Sequence, residues 1–203
     1  MSHAQEDSLS YGKFQCFEME VLMQTPPVVA PVLQYLFHAL EKRFTGVPTL
    51  LVLDEAWLFL DNPLFQAKIR EWLKVLRKAN VYVYFATQSL SDAMNSEISS
   101  VLQESCLTKI FLPNASAKDL ESEQFYRGVG LNEKEIEIIS QAVPKQEYYY
   151  RSPTGNRLFE LGLGPISLAL CGSSSKEDHR LMDAILGKVS KEEFGKELLR
   201  QKD

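Results

Sequence analysis

The apolar residues of this chain fall into three kinds of pattern, and each kind predicts an element. Residues 14–20 (FQCFEME) alternate aromatic, Cys and Met side chains with polar ones, the period of a strand. After the breaker Thr25-Pro26-Pro27, apolar residues recur at helical spacing (Val29, Val32, Leu33, Leu36, Phe37, Leu40, Phe44) and predict an amphipathic helix over 28–44. Gly46 and Pro48 end it. Residues 49–53 (TLLVL) are apolar on both faces, as a strand inside a parallel sheet is. Asp61 or Asn62 can cap the next helix, with Pro63 at its first position and Phe65, Ile69, Trp72, Leu73 and Leu76 as its apolar stripe. A second buried strand is expected over 81–86 (VYVYFA), a helix over 97–104, and a third strand over 107–112 (LTKIFL), closed by Pro113-Asn114.

Taken in order, the first 112 residues give β-α-β-α-β-α-β. Strands alternating with helices predict an α/β fold with a parallel sheet, and right-handed crossovers place helices on both of its faces. The second half has a different rhythm. It predicts helices over 118–126 and 133–142, a hairpin of 147–151 and 157–161 around Ser152-Pro153-Thr154-Gly155-Asn156, and a strand over 165–170. Two helices close the chain, each opened by an S-x-x-E capping box: Ser174 with Glu177, then Ser190 with Glu193. With no Gly-, Ser- or Pro-rich linker, the simplest organisation is one domain with a decorated C-terminal part.

Composition narrows the function. The 203 residues are 45% apolar and 24% charged, an ordinary globular profile that needs no covalent staples. Lys and Arg number 22 against 27 Asp and Glu, a net charge of −5. That excludes a globally basic nucleic-acid binder and leaves a local basic patch open. Cys16, Cys106 and Cys171 lie far apart with no Cys/His cluster, so neither a zinc site nor a disulfide framework is expected, and isolated thiols suit a reducing cytosol. No apolar run reaches the ~18 residues of a membrane span, and the polar first ten residues do not read as a signal peptide.

The sharpest chemical signal is Leu50-Leu51-Val52-Leu53-Asp54-Glu55, an apolar strand ending in two adjacent carboxylates. Ligands of parallel sheets bind beyond the carboxyl ends of strands. One carboxylate there can hold a hydrated Mg²⁺, and its neighbour can orient or deprotonate a water, which is the Walker B arrangement. The alternative is a polar loop with solvated acids. Thr87-Gln88-Ser89 follows the next buried strand, so the Gln88 amide could read a γ-phosphate or position a water, or could simply hydrogen-bond its own loop. Arg70, Lys74, Arg77 and Lys78 gather opposite the apolar stripe of their helix, as a solvated basic face or as a guanidinium offered to a phosphate. No G-x-x-x-x-G-K-[ST] loop is present. His3, His38 and His179 lack catalytic-triad contexts, and Tyr148-Tyr149-Tyr150 could stack bases or pack a strand.

Several of these segments together strongly resemble the conjugative-transfer and type IV secretion ATPases, in the TrbE branch of the VirB-type family. They are FQCFEME, LLVLDEAWLFL (50–60), IREWLKVLRK (69–78), FATQSL (85–90), FLPN (111–114) and YYYRSPTGNRLFELGLG (148–164). The resemblance runs from about residue 8 to 186 and implies the C-terminal part of a RecA-like motor domain, a P-loop NTPase of the FtsK/HerA class. The implied fold is a partial, mostly parallel sheet flanked by helices, with a C-terminal hairpin and helices. Residues 1–112 would hold the Walker B and sensor portion, and 113–203 the helices, hairpin and helical end of the same domain.

The resemblance also implies roles. Asp54 resembles the Walker B aspartate that supports Mg²⁺, Glu55 the glutamate that polarises the attacking water, and Gln88 the sensor glutamine, so that Asp54, Glu55 and Gln88 face ATP. Arg77 resembles the basic residue offered to a neighbouring subunit's nucleotide. Family members carry their Walker A loop ahead of the FQCFEME strand, and this chain has none. It is therefore expected to bind neither ATP nor Mg²⁺ and to be inactive alone, while the parent uses both. The P-loop strand of the family would lie between 81–86 and 107–112, leaving that position open here, an unpaired edge. The implied setting is cytoplasmic, peripheral to the bacterial inner membrane, with other type IV secretion components as partners, self-association as hexamer or dimer, and DNA contact through the basic helix as a further reading. The alternative is a non-enzymatic assembly module docking other components through helices over 176–187 and 191–200.

Overall fold

The computed structural model describes residues 12–19, 22, 24–55, 63–173 and 175–202. The chain divides into two compact units, Met1–Ser105 and Cys106–Asp203.

In the first unit, α1 (Pro26–Glu41) opens on two prolines at positions whose N–H groups no helix uses, and turns Leu33 and Phe37 inward. Strand β1 (Thr49–Leu53) leads toward α2 (Pro63–Val75), and a 3₁₀ turn (Leu76–Ala79) continues that helix. Asn80 stops it in the left-handed conformation (φ 59°) and donates its side-chain amide to the Gly46 carbonyl at 3.2 Å. Strand β2 (Val81–Phe85) then runs parallel to β1, in register from Thr49 opposite Val81 to Leu53 opposite Phe85. Two short helices, α3 (Leu90–Asn95) and α4 (Ser99–Ser105), follow. Of the predicted stripe, Phe65, Ile69, Trp72 and Leu76 are buried and Leu73 is half-buried. Trp72 lies edge-on to Phe37 at 4.6 Å between ring centroids, and its indole N–H donates to Glu41 Oε1 at 2.7 Å. Lys68 pairs with the same carboxylate and with Glu71 at 3.1 Å. Burial pushes the Glu41 carboxyl up, but the Lys68 ammonium and the Trp72 N–H outweigh it and hold the group below its ordinary value.

Two expectations for this unit change. Residues 14–19 are not a strand, and Phe14 is 88% exposed; Glu20 lies outside the described residues. Alternation alone makes no strand, because a strand exists only through a ladder partner, and none lies beside this segment among the described residues. Asp61 and Asn62 also lie outside the described residues, although Pro63 does begin α2.

In the second unit, β3 (Lys109–Phe111) pairs antiparallel with β4 (Glu147–Ser152), which makes the predicted hairpin with β5 (Gly155–Glu160). The expectation that 107–112 extends the parallel sheet is corrected. Phe111 sits opposite Tyr149 and packs edge-on against Tyr126 of α5 (Leu120–Gly128) at 5.9 Å, so its apolar side belongs to a separate small core. Among the described residues, β2 has no neighbour but β1. Helix α6 (Glu133–Gln141) begins with a capping box between Asn132 and Glu135.

Residues 165–170 are helical, not a strand: α7 spans Pro165–Cys171, with Gly164 at its N-cap position and Pro165 in its first turn. Ile166, Leu168 and Leu170 mimic a period of two, but seven residues sample too few turns to tell the periods apart. Helix α8 (Lys176–Leu186) is capped by Ser175 and Asp178, one residue later than the expected Ser174 and Glu177; Ser174 is outside the described residues. The Ser190–Glu193 cap of α9 (Lys191–Lys202) forms as expected, with Glu193 N–H donating to Ser190 Oγ at 3.3 Å. Gly195 lies where α9 meets α7: a Cβ there would stand 2.6 Å from Ile166 Cγ2. Among the described residues, no helix is long and apolar enough to cross a membrane.

Candidate functional site

Because β1 and β2 are parallel and in register, their carboxyl ends lie side by side, and the ladder continues one step further through Ala86 N–H donating to the Leu53 carbonyl at 2.9 Å. The residues that follow each strand therefore emerge at one place. Asp54 is exposed and Glu55 half-buried. Asp54 Oδ1 accepts the Glu55 N–H at 3.1 Å, which ties the two acids into a fixed turn. Glu55 has φ of 50°, the left-handed region that non-glycine residues seldom occupy. From the other strand, the Gln88 amide N–H donates to Glu55 Oε1. The loop carrying Gln88 is held by Thr87 Oγ1, which donates to the Ser89 carbonyl at 3.1 Å, and by Ser89 Oγ, which accepts the Asp92 N–H at 3.2 Å and caps α3.

Asp54, Glu55 and Gln88 are thus brought together, as the strand-then-polar pattern suggested. Arg77 is not among them. It is exposed in the 3₁₀ turn that precedes β2, at the amino end of the strands. At ~3.3 Å per residue, a strand of this length places it roughly 16 Å from the acids. Of its basic neighbours, Arg70 donates to the Glu97 carbonyl at 3.4 Å, while Lys74 and Lys78 face solvent.

The donor set suits a hard cation only in part. Mg²⁺ keeps several waters and takes one or two carboxylates plus phosphate oxygens, not an all-protein cage. Asp54 Oδ2 has no protein partner among the described residues, and no group of three His, Cys, Asp or Glu gathers among them. That fits a cation shared between one aspartate and a phosphate.

The remaining candidates resolve into structure. Tyr149 is buried, and its hydroxyl donates to Glu135 Oε1 at 3.0 Å; burial, with that carboxylate beside it, pushes the phenol up to about 12. Glu135 is itself buried and also accepts from Asn156 Nδ2 at 2.9 Å, with Arg151 Nε at 3.4 Å. Tyr148 packs on Phe159, and Arg157 stacks over Tyr150. His38 and His179 are exposed, and Cys16, Cys106 and Cys171 are unpaired thiols. A cleft of about 290 Å³ between α1 and α2, lined by Phe37, His38, Glu41, Phe65 and Lys68 among others, takes in none of the strand-tip residues. Sequence reasoning missed the left-handed turn at Glu55, which no residue type announces, and the buried Glu135 cluster, whose only written sign was a cap-box spacing.

A parallel strand pair carrying two acids at one tip and an amide at the next is found in a known class of fold. The structure of VirB4 of Thermoanaerobacter pseudethanolicus superposes with a TM-score of 0.55 over 68% of this chain and 37% of that one, at 22% identity, so the fold is the partial RecA-like one of that protein. In sequence, the chain is similar to the type IV secretion system protein VirB4 of Bartonella quintana, 31% identical over 142 residues, which are 70% of this chain and 18% of the relative.

Within that class it is most specifically TrbE-like. The conjugal transfer protein TrbE of Rhizobium radiobacter is 54% identical over 183 residues, covering 90% of this chain and 22% of its own length. A probable conjugal transfer protein TrbE of Sinorhizobium fredii is 56% identical over 176 residues, covering 86% of this chain and 27% of its own length. The chain therefore resembles a portion of the TrbE branch and spans about a quarter of the length of those relatives. No protein-family model matches the sequence.

Proposed function

We propose that this chain supplies the Walker B and sensor residues of an ATPase that powers conjugative transfer or type IV secretion. The observation that carries the proposal is the Gln88–Glu55 contact, made across the carboxyl ends of two parallel strands directly beside Asp54. Asp54 would hold the hydrated Mg²⁺ of a bound ATP. When present, that ion supplies charge neutralisation at the phosphates. Glu55 accepts a proton from, or polarises, a water at the strand tip, and Gln88 fixes the Glu55 carboxylate and hydrogen-bonds toward the terminal phosphate.

Arg77, about a strand's length away, acts on the nucleotide of a neighbouring subunit in a hexamer or dimer. The phosphate cradle comes from residues outside these 203, since the sequence has no Gly-rich lysine loop. On its own the chain neither binds nor hydrolyses ATP. The ATPase works in the cytoplasm against the inner membrane, with other secretion components as its partners.

The test is a chimera in which these residues replace the 183 matched residues of the R. radiobacter TrbE. Glu55→Gln is expected to lower ATP turnover by ~10²-fold or more while nucleotide binding persists, as loss of a positioned acid–base group does. Turnover within a few-fold of the unsubstituted chimera would remove Glu55 from the mechanism.

A further inference from the structure

Gln88 is exposed, so packing does little to hold its amide toward Glu55. A long polar side chain on the surface loses rotamer freedom when it is held, and its aim must come from the backbone beneath it. That backbone leaves the ladder at Ala86, whose N–H donates to the Leu53 carbonyl, and enters α3 at Leu90. One hydroxyl spans the gap. Thr87 Oγ1 accepts the Ser89 N–H at 3.2 Å and donates to the Ser89 carbonyl at 3.1 Å. Both backbone groups of Ser89 are thereby tied to the residue on the other side of Gln88, and Gln88 itself is the bend between them. Ser89 is fixed from its far side too, where its Oγ accepts the Asp92 N–H at 3.2 Å and lies 2.7 Å from Ser91 Oγ. Thr87 is half-buried, and a β-branched side chain is stiff at χ1, so its hydroxyl keeps its direction.

We propose that Thr87 is the positioning residue of this site: its hydroxyl clamps the bend at Gln88 and so aims the Gln88 amide at Glu55. The inference rests on the reading of Glu55 as the acid–base group and of Gln88 as its partner. Thr87 touches neither nucleotide nor water in this role and acts through Gln88 alone. The requirement is for a hydroxyl, because valine has nearly the same shape and can make neither bond.

The experiment places Thr87→Val, Thr87→Ser and Gln88→Ala in the TrbE chimera, singly, and Thr87→Val together with Gln88→Ala. Thr87→Val is expected to lower kcat by roughly tenfold with KM for ATP within about twofold, the split of a contact that matters at the reacting centre. Thr87→Ser keeps the hydroxyl and is expected to restore kcat to within about threefold of the unsubstituted chimera. In the Gln88→Ala background, Thr87→Val is expected to change kcat by less than about twofold, since residues that act as a unit are not additive. Ser96→Ala is the control. It removes a comparable bond at the other end of α3, from Ser96 Oγ to the Ala93 carbonyl at 2.8 Å, and leaves kcat unchanged.

A second readout needs no nucleotide. In the isotope-labelled 203-residue chain, the side-chain amide resonances of Gln88, identified by their loss in Gln88→Ala, are expected to shift on Glu55→Gln. Thr87→Val is expected to shift them in the same direction, and Thr87→Ser to leave them in place. Where turnover depends on Glu55, an unchanged kcat in Thr87→Val, an additive loss in the double variant, or an equal loss in Ser96→Ala would each overturn the proposal and leave the catalytic reading standing. Gln88 resonances indifferent to Thr87→Val would overturn it in any case. Turnover independent of Glu55, with Gln88 resonances that still follow Thr87→Val, would count against the catalytic reading alone.

Discussion

Glu55 takes a backbone conformation that costs a non-glycine residue about 1 kcal/mol or more, and it does so beside Asp54 and under Gln88. Strain retained among polar groups at a strand tip points to use, since a glycine or asparagine would hold the same turn more cheaply. In the proposed mechanism Gln88 holds Glu55 in place as well as reaching the terminal phosphate. In the chimera, Gln88→Ala is expected to lower kcat by roughly 10- to 100-fold with little change in nucleotide affinity, and equal loss of affinity and kcat would contradict a positioning role. Elsewhere, Glu135 shows what burial does to a carboxylate that sequence alone leaves on a helix surface. Glu135→Ala strips Tyr149, Asn156, Arg151 and the Asn132 cap of one shared acceptor, and is expected to cost ~3 kcal/mol in chemical denaturation. The Tyr149 phenol gives a pH signature. Its folded value is raised, so the stability it contributes is complete below its ordinary value of 10.0 and is lost as the pH climbs through about 12. An ultraviolet titration should lose a late-ionising component in Tyr149→Phe. The acids and the amide were legible because each follows an unbroken apolar strand. The turn that joins them was not, because φ is set by closure of the chain and not by residue type.

Elements were readable in proportion to their length. The thirteen residues of α2 cover more than three turns, and of the predicted stripe Phe65, Ile69 and Trp72 are buried there, Leu73 is half-buried, and Leu76 is buried in the 3₁₀ turn that follows. The seven residues of α7 are too few, and a helix passed for a strand. For β3 the strand was right and the partner wrong: direction depends on which distant segment closes the ladder, here β4, and an apolar triplet does not encode that. Residues 14–19 show the same limit, alternation without a partner. The α7–α9 contact offers a test of packing. Gly195→Ala gains ~1 kcal/mol of helix propensity but forces the new methyl against Ile166, a clash of ~1–3 kcal/mol, so a net loss of about 1 kcal/mol is expected. Adding Ile166→Ala should recover the propensity gain in a double-mutant cycle. The α8 cap ties to α9 through Lys202, whose ammonium, with Ser175, holds the Asp178 carboxyl down at about 2. Its folded value is depressed, so that contact contributes fully above the ordinary 3.8 and is lost as the pH falls toward about 2.

At the scale of the whole molecule, each unit has its own core, around Trp72 in one and around Ile136, Ile139 and Tyr149 in the other. The net charge of −5 and the burial of Tyr149 among hydrogen bonds leave little of the base-stacking reading of the tyrosines. The family was legible because six short segments agreed at once, where Asp-Glu after a strand or Ala-Thr-Gln alone would have meant little. The sequence holds no Gly-rich lysine loop that would cradle a triphosphate. The most direct measurement is a structure of the TrbE chimera with a non-hydrolysable ATP analogue and Mg²⁺. The metal and its water shell are expected against the Asp54 carboxylate, with the terminal phosphate within one water of Glu55 and hydrogen-bonded to Gln88. Nucleotide bound with those three side chains turned away from its phosphates would contradict that placement.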